Sequence, residues 1–212
     1  MSIQRPAVAL CTALLLGACS IGKPIPQATT YIIEPPLPTA PTVARRADTL
    51  RMGNVRVAAA FSGNALVYRV DDVRYVSDPY NAFIAEPGAM LGNQMANWLD
   101  RAGPFKAVAQ PGSAQSAKSD PCVLEATITE LYGDTTKAGA PAAVITVQFT
   151  LVDTSAPRTL VSYQRTISRR VDIERATPDA LVRGYGKALG EILSQVSADL
   201  ASLPQSPGSG TT

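Results

Sequence analysis

The chain has 212 residues, 19 Lys and Arg against 17 Asp and Glu, a formal net charge of +2 and no histidine. The missing histidine excludes Ser-His-Asp and Cys-His catalysis, histidine-zinc sites and pH switching by histidine. The near-zero charge, without any basic block, argues against nucleic acid as a partner, because phosphate binding needs clustered Lys and Arg.

Residues 1–18 have the pattern of a secretory signal. Arg5 supplies a positive start, the apolar run 7–16 follows, and two small residues precede Cys19. The run is about half the length needed to cross a ~30 Å hydrocarbon core. Leu-Gly-Ala-Cys at 16–19 resembles the bacterial lipobox, in which the cysteine is lipidated and becomes the new N-terminus. We therefore expect cleavage before Cys19 and lipidation of its thiol and amine. A plain signal peptide that happens to contain a cysteine is the alternative.

Residues 19–29 are predicted to form a lipidated tether, which contains Pro24 and Pro26. About ten extended residues could hold a domain roughly 30 Å from the lipid. Acyl chains contribute about 0.8 kcal/mol per buried methylene, so such an anchor needs no transmembrane helix. Ser20, not Asp, follows the cysteine. By resemblance to enterobacterial sorting rules, this favours the periplasmic face of the outer membrane.

Residues 30–203 are enough for one globular domain with a substantial core. The first half predicts a short strand at 30–33, a strand at 50–60 and a hairpin of strands 66–70 and 73–76. In the strand at 50–60 the apolar residues stand at even positions before Gly53-Asn54 and at odd positions after it, which predicts a bulge there. Asp71-Asp72 predicts the hairpin turn, with a cation site as the alternative. Pro87 begins an amphipathic helix, which Gly103-Pro104 ends.

The second half predicts strands at 105–109, 122–128, 145–151 and 159–167, the last three with clear alternation of apolar and polar residues. Thr177 as N-cap and Pro178 begin a long helix that Pro204 ends. Arg169-Arg170 is expected to end a strand in solvent, with a contact to acidic lipid headgroups as the alternative. Residues 204–212 form a small-residue tail expected to be disordered. The order predicts an α/β fold, a mixed, largely antiparallel sheet of about six strands with two amphipathic helices.

Two features of the sequence, a cysteine and a glycine-containing motif, have both a structural and a functional interpretation. Cys122 is the one cysteine left after Cys11 leaves with the signal and Cys19 is lipidated. We expect it to be a small core residue, with a reactive thiol as the alternative. Gly184-Tyr185-Gly186-Lys187 faintly resembles a phosphate loop, but it lies inside the helical stripe. Glycines that let the helix pack closely are the expected reason for it, since each costs roughly 1 kcal/mol in a helix.

The segment from Leu66 to Leu91 resembles a known family. Its motifs stand in order: Leu66-Val67-Tyr68-Arg69, Tyr75, Tyr80-Asn81-Ala82-Phe83, Glu86-Pro87 and Met90-Leu91. Together with the lipobox and the early strand, they resemble the ABC-type transport auxiliary lipoproteins, which include the lipoprotein of the paraquat-inducible system. Two departures are visible: Phe83 stands where tryptophan is common, and Ile32-Ile33 replaces a leucine-containing pair.

The resemblance implies a non-catalytic component of a machine that moves lipids between the inner and outer membranes. In such systems an ABC transporter lies in the inner membrane and MCE (mammalian cell entry) proteins form the periplasmic conduit. The lipoprotein docks at the outer-membrane end of this conduit. The resemblance also implies a three-layer α/β fold like the anticodon-binding type, and it allows a homo-oligomer. We expect no cofactor and no metal.

Five residues of the family motifs are candidate partner contacts: Tyr68, Arg69, Tyr75, Tyr80 and Phe83. Aromatic residues and arginine are common interface anchors. The alternative is that the aromatic rings bridge the hairpin and the first helix as core, with the tyrosine hydroxyls at its edge.

Two other functions compete with the docking subunit. One is a periplasmic lipid-binding module that itself carries acyl chains. The other is a lipid-anchored hydrolase using a Ser-Lys pair or paired carboxylates, which the sequence disfavours because it contains no GxSxG motif.

Overall fold

The computed structural model describes residues 28–39, 43–46, 48–112, 122–154 and 160–204. The predicted signal, Cys19, most of the tether and the tail beyond Pro204 lie outside the described residues. No helix within the described ranges is both long enough and apolar enough to cross a membrane.

The strands and helices follow each other in the predicted order, four strands and a helix and then four strands and a helix. The strands are β1 Thr29–Tyr31, β2 Thr49–Val57, β3 Ala65–Arg69, β4 Tyr75–Phe83, β5 Ala107–Ala109, β6 Cys122–Asp134, β7 Ala142–Asp153 and β8 Leu160–Asp172. The helices are α1 Pro87–Ala102 and α2 Pro178–Ala201, and a short 3-10 helix, Ala59–Phe61, follows β2.

One sheet is built around β6. On one side, β7 and then β8 add antiparallel along nearly its whole length. On the other side, β2 pairs parallel with its first half and β3 with its last two residues. β5 lies beyond β2, and β4 and β1 lie beyond β3. The mixed, largely antiparallel α/β sheet with two helices is confirmed. It has eight strands rather than about six, because the three-residue strands β1 and β5 join its edges.

The bulge in β2 lies where the parity change predicts it. The register with β6 shifts between Met52, opposite Leu124, and Val55, opposite Ala126. The one extra residue in β2 returns the apolar side chains to one face, so Leu50 and Met52 before the bulge and Val55 after it point the same way.

Both helices lie on that face of the sheet. A Cβ on Gly92 of α1 would stand 3.2 Å from the Val55 side chain, and one on Gly184 of α2 would stand 2.7 Å from Ala143 Cβ. Val55 and Ala143 are on the same face because paired residues of neighbouring strands point the same way. In the described residues no helix covers the second face. Within the described ranges, one layer of helices packs on one layer of strands. We call the two sides the helix face and the open face.

The layer between the sheet and the helices is filled with large side chains. The largest that are less than 2% exposed include Trp98 of α1, Tyr185 of α2 and Phe149 of β7. Cys122 is 6% exposed at the start of β6, which confirms its prediction as a core residue.

The helix starts follow the sequence signals. Glu86 caps α1, its carboxylate accepting hydrogen bonds from the backbone N–H groups of Gly88 at 3.0 Å and Ala89 at 2.9 Å. The Thr177 hydroxyl accepts from the Ala180 N–H at 3.4 Å at the start of α2. The carboxylate and hydroxyl satisfy N–H groups that the first turn leaves without a partner.

The glycines of α2 allow the chain after β1 to lie against the helix. A Cβ on Gly186 would stand 2.5 Å from the Glu34 carbonyl oxygen, and one on Gly190 would stand 3.1 Å from Pro36. The Pro36 carbonyl also accepts a 3.0 Å hydrogen bond from Trp98 Nε1. The packing interpretation of these glycines is confirmed, and a phosphate loop is wrong because backbone occupies the space beside them.

The prediction that Arg169-Arg170 ends a strand is wrong, since β8 continues to Asp172. The two arginines point to opposite faces, as neighbours in a strand do. Arg169 bonds Gln195 of α2 on the helix face, and Arg170 bonds Asp134 of β6 on the other. Alternation of apolar residues does not reveal such a strand end, because both side chains are charged.

Asp134 joins the end of β6 to β8. The carboxylate is 7% exposed. Burial raises its pKa, but hydrogen bonds from Thr136 and the Arg170 guanidinium lower the pKa more, from 3.8 to about 2. A lowered pKa in the folded state means that the ionised carboxylate stabilises the fold above the unfolded-state pKa. This stabilisation is lost as the pH falls from 3.8 toward 2.

We expect Asp134→Asn to lower the free energy of unfolding at neutral pH by about 1 kcal/mol, because charged hydrogen bonds are lost. Urea unfolding at several pH values measures this. The difference from the natural protein should shrink as the pH falls through the acid range. Asp72→Asn is the control, because the Asp72 side chain is 100% exposed. A difference for Asp134→Asn that is constant from neutral pH to pH 2 would contradict the assignment.

Candidate docking surface

The β3–β4 hairpin carries the predicted contact residues. Asp71 lies in the turn of this hairpin, as predicted. Its carboxylate accepts hydrogen bonds from the N–H groups of Val73 at 3.0 Å and Arg74 at 2.8 Å. These bonds lower the pKa of Asp71 and hold it as a turn residue. Arg69 pairs with Tyr75 at the end of the hairpin. Asp71 therefore has a structural role in the turn.

Arg69 holds the hairpin tip. Its Nε donates to the Asp71 carbonyl at 3.1 Å, and its Nη2 donates to the Asp72 carbonyl at 3.3 Å. Its own carbonyl accepts from the Thr135 N–H at 2.9 Å, which ties the tip to the residue after β6. A hydrogen bond to Tyr132 raises the pKa of Arg69. The guanidinium is thus fixed beside an aromatic ring rather than free in solvent.

Three aromatic rings meet next to Arg69, and we call them the aromatic triad: Phe61, Tyr75 and Tyr132. Their ring centroids lie 6.0 Å apart for Phe61 and Tyr75, 5.9 Å for Phe61 and Tyr132, and 5.4 Å for Tyr75 and Tyr132. Phe61 and Tyr132 are buried, at 9% and 6% exposure, whereas Tyr75 is 44% exposed. Two buried rings thus support one accessible ring, the arrangement of a rigid aromatic anchor.

Tyr68 and Phe83 lie on the helix face instead. Tyr68 is half-buried, and a Cβ on Gly133 would stand 2.9 Å from its ring. Burial first, and then the Asp78 carboxylate, raise the pKa of Tyr68 to about 12. Phe83 is 4% exposed, with its ring centroid 6.4 Å from that of Tyr185. Phe83 is therefore a core residue, as the alternative interpretation predicts, and Tyr68 lies at the edge of this core.

Tyr80 occupies a third location. It follows a kink in β4 at Pro79, where the Asp78 carboxylate accepts hydrogen bonds from the N–H groups of Tyr80 at 2.9 Å and Asn81 at 3.1 Å. Its side chain is 51% exposed. The five predicted contact residues are therefore divided, and only Arg69 and Tyr75 lie together on an accessible surface.

Phe61 and Tyr132 are the residues that sequence reasoning missed. Phe61 belongs to the 3-10 helix, which no apolar pattern announces. Tyr132 lies past Ile128, where the alternation ends, because a register shift between Ile128 and Glu130 interrupts the pattern although β6 continues. The nearest pair among the three rings is separated by 14 residues of sequence, so their contact depends on the sheet order.

The surface around the triad offers groups that are suited to binding. Val73 at the hairpin tip, two residues before Tyr75, is 89% exposed. The part of the chain that the structure describes has no group of three or more Cys, Asp or Glu placed to hold a metal ion. An exposed ring, a fixed guanidinium and the exposed valine at the hairpin tip can anchor a protein partner.

Comparison with known proteins shows which family model the chain matches and which solved structures have a similar fold. The family model described as "ABC-type transport auxiliary lipoprotein component" matches residues 31–197. A search of curated proteins finds no match.

Solved structures share the fold at low sequence identity. The protein XCC0632 of Xanthomonas campestris is 16% identical, with a TM-score of 0.70 over 82% of this chain and 95% of that one. A second structure, of an uncharacterised protein, is 22% identical, with a TM-score of 0.59 over 82% and 97% of the two chains. The hypothetical protein CT253 of Chlamydia trachomatis has a TM-score of 0.50 at 11% identity and covers 74% and 96%. At such identities the likeness concerns the fold alone.

Proposed function

The chain belongs to the family of ABC-type transport auxiliary lipoprotein components, and from this membership we propose that it serves an MCE-type lipid transport system. It is anchored by lipid at Cys19 to the periplasmic face of the outer membrane. There it holds the end of the periplasmic conduit formed by an MCE-domain protein. The family match supports a membrane-anchored transport component. The MCE-domain partner and the outer-membrane location are expectations from the sequence motifs.

The docking role rests on the aromatic triad. Tyr75 is 44% exposed while its supporting rings are buried. A partner would therefore meet a ring that is already held in place, and little conformational entropy would be lost on binding. Arg69 beside it is fixed by the turn carbonyls. Tyrosine and arginine in such settings carry much of the binding energy of protein interfaces.

The lipid-carrier alternative requires an apolar space for acyl chains. Between the sheet and the helices, Trp98, Tyr185 and Phe149 are each less than 2% exposed. An acyl chain would have to displace these packed side chains, and close-packed interiors resist such a change. The packing therefore favours docking over carriage.

Tyr75→Ala tests the docking surface. We expect it to weaken binding to the MCE-domain protein about tenfold or more, because losing an anchor residue costs at least 1–2 kcal/mol. The measurement is the dissociation constant between the purified lipidated chain and the MCE-domain protein of the same transport system, both in detergent.

Tyr80→Ala is the matched control, since Tyr80 has a similar exposure of 51% and lies apart from the triad. It should leave the dissociation constant within about twofold, as peripheral contacts do. Equal weakening by the two substitutions would argue against the triad as the docking surface. No binding by the natural chain would argue against the MCE partner itself.

A further inference from the structure

A second exposed surface lies at the opposite end of β4 from the triad. β1 is the outer strand there, and Thr30 pairs with Ala82 and Tyr31 with Phe83. The Ile84 N–H donates to the Tyr31 carbonyl at 2.8 Å, which continues the pairing and brings Ile32 next to Ile84. Ile32 is 45% exposed and Ile84 is 64% exposed, whereas the next residue, Ile33, is fully buried.

We call this surface the apolar corner and define it as Thr30, Ile32, Ala65, Ala82 and Ile84. Phe83 points to the helix face, so its strand neighbour Ala82 points to the open face. Thr30 and Ala65 pair with Ala82 from either side and share that face. None of the five side chains is charged. Two exposed isoleucines therefore lie side by side on an uncharged corner of the sheet.

The position of the corner on the chain indicates what covers it. The described chain begins at Ala28, beside β1, and nine residue steps separate it from Cys19. A fully extended chain of that length spans at most about 30 Å. A lipid on Cys19 therefore keeps this corner near the bilayer at high effective concentration.

The charges nearby suit a neutral lipid surface. Segments 28–39 and 75–88 contain no Lys or Arg. Of the three acids in these segments, Glu86 caps α1 and Asp78 holds the kink of β4, while Glu34 is exposed. Tyr80, 51% exposed on the same strand, adds an amphipathic ring of the kind found at membrane interfaces. Contact would depend on apolar area rather than on attraction to anionic headgroups.

We propose that the apolar corner rests on the lipid surface that holds the Cys19 anchor, as a second, non-covalent membrane contact that orients the domain. This inference rests on the lipid anchor of the proposed function. The anchor determines the distance from the membrane, and the corner determines which side faces it. The triad, at the far end of β4, is then directed away from the membrane toward the periplasm.

The test places a fluorescent label at each end of β4. Ile84→Cys and Val73→Cys are labelled in the lipidated chain, since Val73 is 89% exposed and native Cys122 is buried. The two positions lie about 25 Å apart along the strand. The chains are bound to phosphatidylcholine vesicles that contain a lipid with a nitroxide quencher in its headgroup region.

We expect several-fold stronger quenching at position 84 than at position 73, unchanged at high salt. Equal quenching at the two positions, or none at position 84 on vesicle-bound protein, would overturn the corner contact and leave the anchor intact. Quenching at position 84 that is abolished by salt would overturn the apolar nature of the contact. Failure of the unlabelled lipidated chain to bind the vesicles would overturn the anchor, and the corner proposal with it.

Discussion

Cys19→Ala is expected to remove the lipid anchor that holds the mature protein on the membrane. At about 0.8 kcal/mol per buried methylene, each acyl chain contributes on the order of 10 kcal/mol to anchoring. The described residues contain no helix that could cross a membrane in its place. The apolar corner alone is too small to hold the domain on the bilayer. Cell fractionation measures the result, with the variant moving to the soluble periplasmic fraction or keeping its uncleaved signal.

Cys11→Ala is the control for this experiment, because it makes the same substitution within the predicted signal. It should leave membrane association and N-terminal lipidation unchanged, and mass spectrometry of the N-terminal peptide verifies the latter. Membrane association of a processed Cys19→Ala chain at the level of the natural protein would contradict the lipid anchor.

Tyr185 is the position where two substitutions should have opposite effects on stability. The ring is fully buried in α2, and its hydroxyl has no hydrogen-bond partner in the described residues. Burial raises the pKa of Tyr185 well above its ordinary value, so the hydroxyl stays neutral. Tyr185→Ala leaves a large cavity and should lower the free energy of unfolding by about 3–5 kcal/mol. Tyr185→Phe removes only the buried hydroxyl and should raise it by about 1 kcal/mol.

Urea unfolding of the pair separates packing from hydrogen bonding. Because both variants lack the hydroxyl, the difference between them measures the ring alone. A loss of stability in Tyr185→Phe would mean that the hydroxyl has a partner, such as a buried water. A loss below about 1 kcal/mol in Tyr185→Ala would mean that the helix collapses onto the sheet to fill the space.

The local elements were predictable because their signals are local. Proline at the first helical turn, a capping side chain and apolar periodicity act within a few residues, and they locate α1 and α2. Alternation locates β6 and β7, although Tyr132 lies past the point where a register shift ends the pattern. β8 was predicted too short, since Arg169 and Arg170 at its end carry no apolar signal.

The candidate surface was predictable only in part. The motif residues Arg69 and Tyr75 lie on it, but Tyr68, Tyr80 and Phe83 lie elsewhere. Strand alternation sends neighbours such as Tyr68 and Arg69 to opposite faces, so a cluster in sequence is not a cluster in space. Which face a helix covers depends on packing of the whole sheet, and no short motif contains that information.

By itself, the sequence determined the element order, the bulge in β2, the family resemblance and the expected lipid anchor at Cys19. These depend on backbone preferences, apolar period and a short chemical motif, all of which act between near neighbours. Only the tertiary structure placed both helices on one face, joined Phe61 and Tyr132 to Tyr75, and brought Ile32 beside Ile84. These contacts join residues far apart in the chain, and strand pairing decides them because it is a cooperative property of the whole sheet.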